Sequence, residues 1–243
     1  MIFYFSGTGN SKYVAECLED ELVINIADAN KAGNYEYSVN EDGKVGFVFP
    51  VYYSGLPKPV LDFVRNLKLV GEADYIYAVL THGGGPGGAG TMLEKQLKKK
   101  GLSLQACFDV KMPSNYIMFG DLIPDEEIEE RLKNAPALIA PVKEAIDKKE
   151  HKLPDWSKMD RFLTSCMMFL CDKNMSAKKF YADEGCIGCG KCARNCPAGI
   201  IEMVDGKPMW TDNKCVRCMS CLSCEHVQYG KATTTRRRYM FHK

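Results

Sequence analysis

Four cysteines fall within eleven residues, as Cys186-x2-Cys189-x2-Cys192-x3-Cys196, with Pro197 directly after. Cys215, Cys218 and Cys221 repeat the triad, and Cys224 follows. Thiolates at this spacing wrap one face of a cubane iron–sulfur cluster, and a Cys set before Pro points away toward a neighbouring cluster. Gly188 and Gly190 ease the tight turn. A zinc site expects two separated Cys pairs, often with His, which is a different pattern. The other four of the 12 cysteines (Cys17, Cys107, Cys166, Cys171) are scattered and read as buried thiols.

A second constellation lies near the N-terminus. The string Ser6-Gly7-Thr8-Gly9-Asn10-Ser11 joins an apolar run, Ile2 to Phe5, to a helical pattern with Val14, Ala15 and Leu18 on one face. Hydroxyls and free N–H groups meet there at the positive end of a helix dipole, which makes an anion cradle. The loop holds no Lys, so it is not a triphosphate-binding P-loop, and it suits one monophosphate. Ser11, at the helix start, is placed to cap free N–H groups.

Two more loops follow apolar strands: Pro50-Val51-Tyr52-Tyr53-Ser54-Gly55, and Thr81-His82-Gly83-Gly84. Their aromatics suit stacking on a planar ring, and their glycines let backbone amides approach its polar edge. Gly85-x-Gly87-x-x-Gly90, with Asp109 downstream, matches a dinucleotide fingerprint literally. Pro86 inside it, and its place after the fourth strand rather than the first, weigh against that use. His82, Tyr52 and Tyr53 are the only acids in these loops, and no residue is assigned a catalytic role.

The elements that must position these loops alternate. Strands are expected at Ile2–Phe5, Leu22–Ile26, Val45–Phe49, Tyr75–Leu80 and Leu102–Val110. Helices are expected from Ser11, through Val60, Leu61, Val64 and Leu67, up to Lys100, and over Glu126–Lys149. The last carries an apolar stripe of Ile128, Leu132, Leu138, Ile139, Val142 and Ile146, with Pro136 and Pro141 expected to break or kink it. Apolar strands alternating with helices imply a parallel sheet covered on both faces. His151–Pro154 reads as a linker. Met159, Phe162, Leu163, Cys166, Met167 and Leu170 then form the stripe of a packing helix. Ile200-Ile201 and Met203-Val204, with Gly206, fit a strand–turn–strand link between the cysteine runs.

The chain has 243 residues, 46% hydrophobic and 26% charged, which excludes disorder and collagen-like repeats. Net charge is +1, but residues 1–150 carry −6 and residues 151–243 carry +7, a sign of two domains. Clustered cysteines in an otherwise ordinary chain argue against a secreted disulfide scaffold. No stretch approaches the ~18 apolar residues of a membrane span. With no signal-peptide pattern at the N-terminus, a cytoplasmic, reducing location is expected. The run Arg236-Arg237-Arg238 reads as a solvated or salt-bridged end, or as a surface for an acidic partner. No basic–aromatic surface supports nucleic-acid binding. Lys98-Lys99-Lys100 reads as a solvated helix end.

Residues 1–150 resemble the flavodoxin family through the three loops, and the cysteine region resembles bacterial two-cluster ferredoxins. The joined pattern resembles flavodoxin–ferredoxin fusion proteins of anaerobes. The resemblance implies an α/β fold: a doubly wound five-stranded parallel sheet of order 2-1-3-4-5, plus a small α+β ferredoxin domain. It implies FMN held by residues 6–11, 50–55 and 81–84, with Met112 to Tyr116 closing over the site. Cys215, Cys218, Cys221 and Cys196 would hold one [4Fe–4S] cluster. Cys186, Cys189 and Cys192 would hold the other, with Cys224 as its fourth ligand. The family pattern places that last Cys at position 225 before Pro. Here Glu225 and His226 stand there, leaving an incomplete cluster or ligation by either residue as alternatives. The expected domains are 1–150, a linker and packing helix over 151–182, a ferredoxin domain over 183–230, and a basic tail over 231–243. The expected function is electron transfer between clusters and FMN, with a redox protein as donor or acceptor. Reduction of a small organic molecule at the flavin, and redox or oxygen sensing, are the alternatives.

Overall fold

Strands that are apolar at nearly every position stay dry only if both faces of their sheet are covered. The computed structural model describes residues 1–118, 120–153, 164, 175–211 and 214–241. Its first half runs β1 (Ile2–Tyr4), α1 (Asn10–Cys17), β2 (Val23–Asn25), α2 (Ile26–Ala32), β3 (Glu36–Ser38) and β4 (Lys44–Pro50). It continues through α3 (Lys58–Asn66), β5 (Lys68–Val70), β6 (Tyr75–His82), α4 (Ala89–Lys98), β7 (Ala106–Lys111) and α5 (Asp125–Asp147). Five strands form one parallel sheet in the order β2-β1-β4-β6-β7, which is 2-1-3-4-5 counted within the sheet.

Side-chain alternation sorts the helices. Phe3, Phe5, Phe47, Phe49, Ile76 and Leu80 point to one face, where α2, α3 and α4 supply Ile26, Phe63, Val64, Leu93 and Leu97. Ile2, Val48, Tyr75, Tyr77 and Val79 point to the other, under Tyr13 and Val14 of α1 and Ile139, Val142 and Ile146 of α5.

Several expectations need correction. Pro136 and Pro141 do not break α5, which is continuous over Asp125–Asp147. Both prolines are exposed. Leu138, expected in the stripe, is 45% exposed. The fifth strand starts at Ala106 rather than Leu102, because the Leu102 N–H closes the end of α4 on the Leu97 carbonyl at 3.1 Å. Ile26 opens α2 instead of ending a strand, capped by Asn25, whose side chain accepts from the Ala27 N–H. β3 and β5 pair with each other outside the main sheet. They are three residues each, with Tyr37 and Leu69 turned inward between exposed neighbours, too short for the pattern to stand out in sequence. The expected packing helix and its cysteines, Cys166 and Cys171, lie outside the described residues. Thr164 is described: it is buried and hydrogen-bonds the Ser54 carbonyl and the Gly88 N–H.

The second unit is small. β8 (Phe180–Ala182) pairs antiparallel with β11 (Val227–Tyr229). Between them lie the one-turn helix α6 (Lys191–Arg194) and the hairpin β9 (Ile201–Val204) and β10 (Lys207–Trp210), the expected strand–turn–strand link. Its core of Phe180, Ile200, Leu222, Val227 and Tyr229 also takes in Ile117 and Met118 from the first unit. In return, Val216 and Cys218 are buried in the core of the first.

The basic tail is spent on contacts within the chain. Arg236 reaches Asp121 at 3.2 Å and the Ile117 carbonyl at 2.7 Å. Arg237 pairs with Asp125 and the Ile123 carbonyl, and Arg238 donates to Gln228 Oε1 at 2.7 Å. Lys98 pairs with Glu94 at 2.6 Å at the expected exposed helix end. Among the described residues, no helix is long and apolar enough to cross a membrane.

Phe63 is fully buried, with its ring 4.9 Å from that of Phe3. Phe63→Ala is expected to lower the unfolding free energy by about 3–5 kcal/mol, read from urea denaturation by far-UV circular dichroism.

Candidate functional site

A cavity of about 610 Å³ opens at the carboxyl ends of β1, β4, β6 and β7. That is where an open α/β sheet places its ligand site, and the volume lies within the ~300–1,000 Å³ range of ligand pockets. Three expected loops meet there: Ser6, Gly7, Thr8, Asn10 and Ser11; residues 50–54; and residues 81–84. Met112 to Tyr116 form a fourth wall. Gly9 and Gly55 are not on the wall. Gly9 instead takes φ +103° at the start of α1, beside Phe241, and Gly55 closes a turn with the Tyr52 carbonyl at 2.8 Å.

The first loop is held largely by its own side chains. Ser6 Oγ accepts the Gly9 N–H at 3.0 Å. Ser11 Oγ shares a buried 2.7 Å hydrogen bond with Thr81 Oγ1 rather than capping the helix. Asn115 donates to Thr8 Oγ1, and Asn10 donates to the Pro113 carbonyl at 2.9 Å. From the tail, Tyr239 OH donates to Asn10 Oδ1 at 2.7 Å and the Phe241 N–H to the Thr8 carbonyl at 2.7 Å. Ser6 and Thr8 act as acceptors in these bonds, so their hydroxyl protons remain for an anion, together with the first-turn N–H groups of α1, which have no intrahelical acceptor.

The ring-side loops are aromatic and strained. Tyr53 and Ser54 sit at φ +51° and +59°, a conformation that non-glycine residues hold only when their surroundings impose it. Tyr53 OH and Tyr116 OH share a 2.6 Å hydrogen bond, with their rings edge to face. His82 Nε2 meets Asp109 Oδ2 at 2.9 Å, so the acid of the literal dinucleotide fingerprint serves a histidine instead. Tyr52 OH and His82 Nδ1 are buried polar atoms with no hydrogen-bond partner among the described residues, and both residues line the cavity. Burial, then the nearby Cys218, Tyr53 and Cys215, push the Tyr52 hydroxyl well above its ordinary pKa. A phosphate cradle, aromatic walls and orphaned polar groups fit a phosphorylated planar ring.

Sequence reasoning missed two cationic residues. Arg131 of α5 donates to the Gly83 carbonyl at 3.4 Å and the Met112 carbonyl at 3.3 Å, tying two walls together. Arg217 lines the cavity from the middle of the second cysteine run. Nothing local marks either one, since each reaches the site only through tertiary packing.

The cysteines divide into two groups. Cys196, Cys215, Cys218 and Cys221 line one small cavity walled by Phe180, Ile200, Ile201 and Trp210. Burial pushes the Cys218 thiol up to about 12, and also raises Cys221 and Cys215; neighbouring thiols add to each shift. These thiols stay protonated until a metal displaces the protons. Cys186 and Cys189 both act on Cys192, whose pKa is raised chiefly by burial. Lys207 donates to the Cys186 carbonyl at 2.6 Å, and Arg194 to the Cys189 carbonyl at 2.8 Å. Cys224 packs with Cys192 and Cys221 against the core of the second unit. Among the described residues, no three His, Cys, Asp or Glu side chains converge on a single-ion site. A cluster does not need such convergence, because each thiolate binds a different iron.

The fold and site thus define a flavin-type α/β domain joined to a cysteine-rich iron–sulfur domain. Family comparison agrees: residues 1–112 match the flavodoxin domain and residues 178–224 the 4Fe-4S dicluster domain, an arrangement consistent with a flavodoxin–ferredoxin fusion. No curated protein matches. Among solved structures, the Trp repressor binding protein from Bacillus subtilis is similar at 13% identity, over 57% of this chain and 97% of that one, with a TM-score of 0.33. An azoreductase from Bacillus anthracis str. Sterne is similar at 12% identity, over 58% and 97%, with a TM-score of 0.35. An FMN-dependent NADH-azoreductase from Bacillus anthracis str. Ames Ancestor is similar at 8% identity, over 58% and 98%, with a TM-score of 0.32.

A Cβ added at Gly7 would lie 2.0 Å from the Cys218 carbonyl oxygen, whereas one at Gly84 would meet no atom within 4 Å. Gly7→Ala is expected to lose flavin and iron together and to destabilise the protein by at least about 1–3 kcal/mol. Gly84→Ala should leave the urea midpoint of the flavin-free protein unchanged. Cofactor content and denaturation of the two variants check this.

Proposed function

We propose that this chain relays electrons between a protein partner and FMN through two [4Fe–4S] clusters. The observation that supports this most is the contact of the Cys215–Cys218 loop with the phosphate loop: the Cys218 carbonyl packs on Gly7, and Arg217 forms part of the flavin cavity wall. In this reading Cys196, Cys215, Cys218 and Cys221 hold the near cluster. Cys186, Cys189, Cys192 and Cys224 hold the far one. Residues 6–11 take the FMN phosphate, and residues 50–55, 81–84 and 112–116 take its ring. FMN supplies a site that exchanges electrons singly or in pairs, matching one-electron clusters to two-electron partners. The far set is the more open: Cys189 is exposed and Ile187 is 87% exposed. A partner therefore exchanges electrons there, and the path runs far cluster, near cluster, flavin, or the reverse.

Anaerobic reconstitution is expected to give about eight irons and one FMN per chain. Cys215→Ser should remove the near cluster's EPR signal while sparing the far one. Absence of bound FMN, with fewer than about four irons, would rule the proposal out. A three-iron EPR signal in the wild-type protein would mean that Cys224 does not complete the far site.

A second reading, reduction of a small organic molecule at the flavin, is favoured by the His82–Asp109 pair: an imidazole held by a carboxylate at a cavity wall can pass a proton. Turnover that His82→Ala abolishes while FMN stays bound would support it.

A further inference from the structure

Resting on the FMN reading above, we propose that Arg217, carried on the near cluster's own loop, is a redox-tuning residue of the flavin site: its guanidinium faces the ring and favours the reduced flavin over the oxidised one.

Position is the first argument. Arg217 stands between Cys215 and Cys218, is 5% exposed, and lines the cavity together with Tyr53 and Tyr116. Its Nη1 lies 3.5 Å from Tyr116 OH, which in turn is bonded to Tyr53 OH, and its guanidinium carbon lies 5.7 Å from the centre of the Tyr229 ring. These tyrosines belong to the ring-side walls and to β11, not to the phosphate loop, so the cation sits at the ring end.

The residue type at this position is the second argument. Arg217 holds φ +51° and Met219 φ +64°, where glycine would be at ease. The Arg217 N–H also points at Cys215 Sγ, at 3.3 Å. Gly188 and Gly190 take φ +69° at the matching positions of the first run, so the conformation belongs to the cysteine loop; what is particular here is that a long, charged side chain stands, buried, where the other run has glycine.

The chemistry then follows from charge. Reduction by two electrons with uptake of one proton leaves net negative charge on an isoalloxazine ring, and a guanidinium in a water-poor wall favours that state. The electrons come from the reduced near cluster, one at a time, through the loop that carries Arg217. The same loop would thus deliver the electron and hold the charge that receives it.

The test compares dissociation constants of oxidised and dithionite-reduced FMN, and of riboflavin, for iron-replete protein under anaerobic conditions. Arg217→Gln is expected to weaken reduced FMN about tenfold more than oxidised FMN, with Arg217→Lys restoring most of the difference and riboflavin behaving as FMN does. Equal weakening of both oxidation states would reduce Arg217 to packing and overturn the proposal. A loss seen for FMN but not for riboflavin would make it a phosphate anchor, with the same consequence. One measurement is independent of any folding or iron-loading defect in the variants: the wild-type protein should bind reduced FMN at least as tightly as oxidised FMN, and weaker binding of the reduced form overturns the proposal. Absence of FMN binding in either state would instead be a failure of the functional reading.

Discussion

The Cys218 carbonyl and the Gly7 backbone approach so closely that even a methyl group cannot enter between them. The rest of the site depends on that contact. It sets the wall that contains Arg217 and turns two domains with separate cores into neighbours that share residues. Val216 and Cys218 enter the flavodoxin core, and Ile117 and Met118 enter the ferredoxin core. A tether alone raises the effective concentration of one redox centre near another. Interlocked side chains go further and fix their orientation.

The tail reinforces that arrangement, and it gives the charge asymmetry of the chain a local meaning. Arg236 and Arg237 neutralise Asp121 and Asp125, just before and at the start of α5, while Tyr239 and Phe241 hold the loop after β1 through Asn10 and Thr8. Exposed ion pairs of this kind contribute only about 0–1 kcal/mol each. Their effect is directional: they lead the chain from the ferredoxin unit back across the flavodoxin unit, where Phe241 stacks on Tyr13 at 4.5 Å. The excess positive charge of the second half thus meets acidic groups of the first within the same molecule.

How far the sequence reveals this structure depends on the range of each interaction. Cysteine spacing, the Ser6–Ser11 string and the apolar runs of β1, β4 and β6 are local signals, and they locate the parallel sheet and most of the cavity. The errors arise where solvent exposure, a capping side chain or a distant partner decides. Pro136 and Pro141 read as breaking or kinking the helix, yet it runs on through both, with both prolines exposed. Ile26 reads as strand because its capping residue, Asn25, is polar and unremarkable in sequence. Ser11 reads as a cap, but Thr81, 70 residues away, claims its hydroxyl. Arg131 and Arg217 carry no pattern at all, since both act on loops remote in sequence. The fold is legible because burial is periodic; the far half of the site is not, because docking of domains has no period.

The two cysteine groups also differ in a way that spacing conceals. Their sequences are nearly the same triad, yet Cys218 is buried with its thiol pushed up to about 12, while Cys189 is exposed. A cluster in dry, apolar surroundings feels nearby charges strongly, and one at the surface is screened by water and salt. Potentials of otherwise similar clusters follow from hydrogen bonds to sulfur and from solvent exposure. Two triads with one spacing can therefore be given unequal potentials by burial alone. In the proposed relay the open group would exchange with a partner in solution, and the closed group with a flavin behind its own loop. Any difference in potential between the two proposed clusters would then come from the packing that separates the two sites, not from the ligands they have in common.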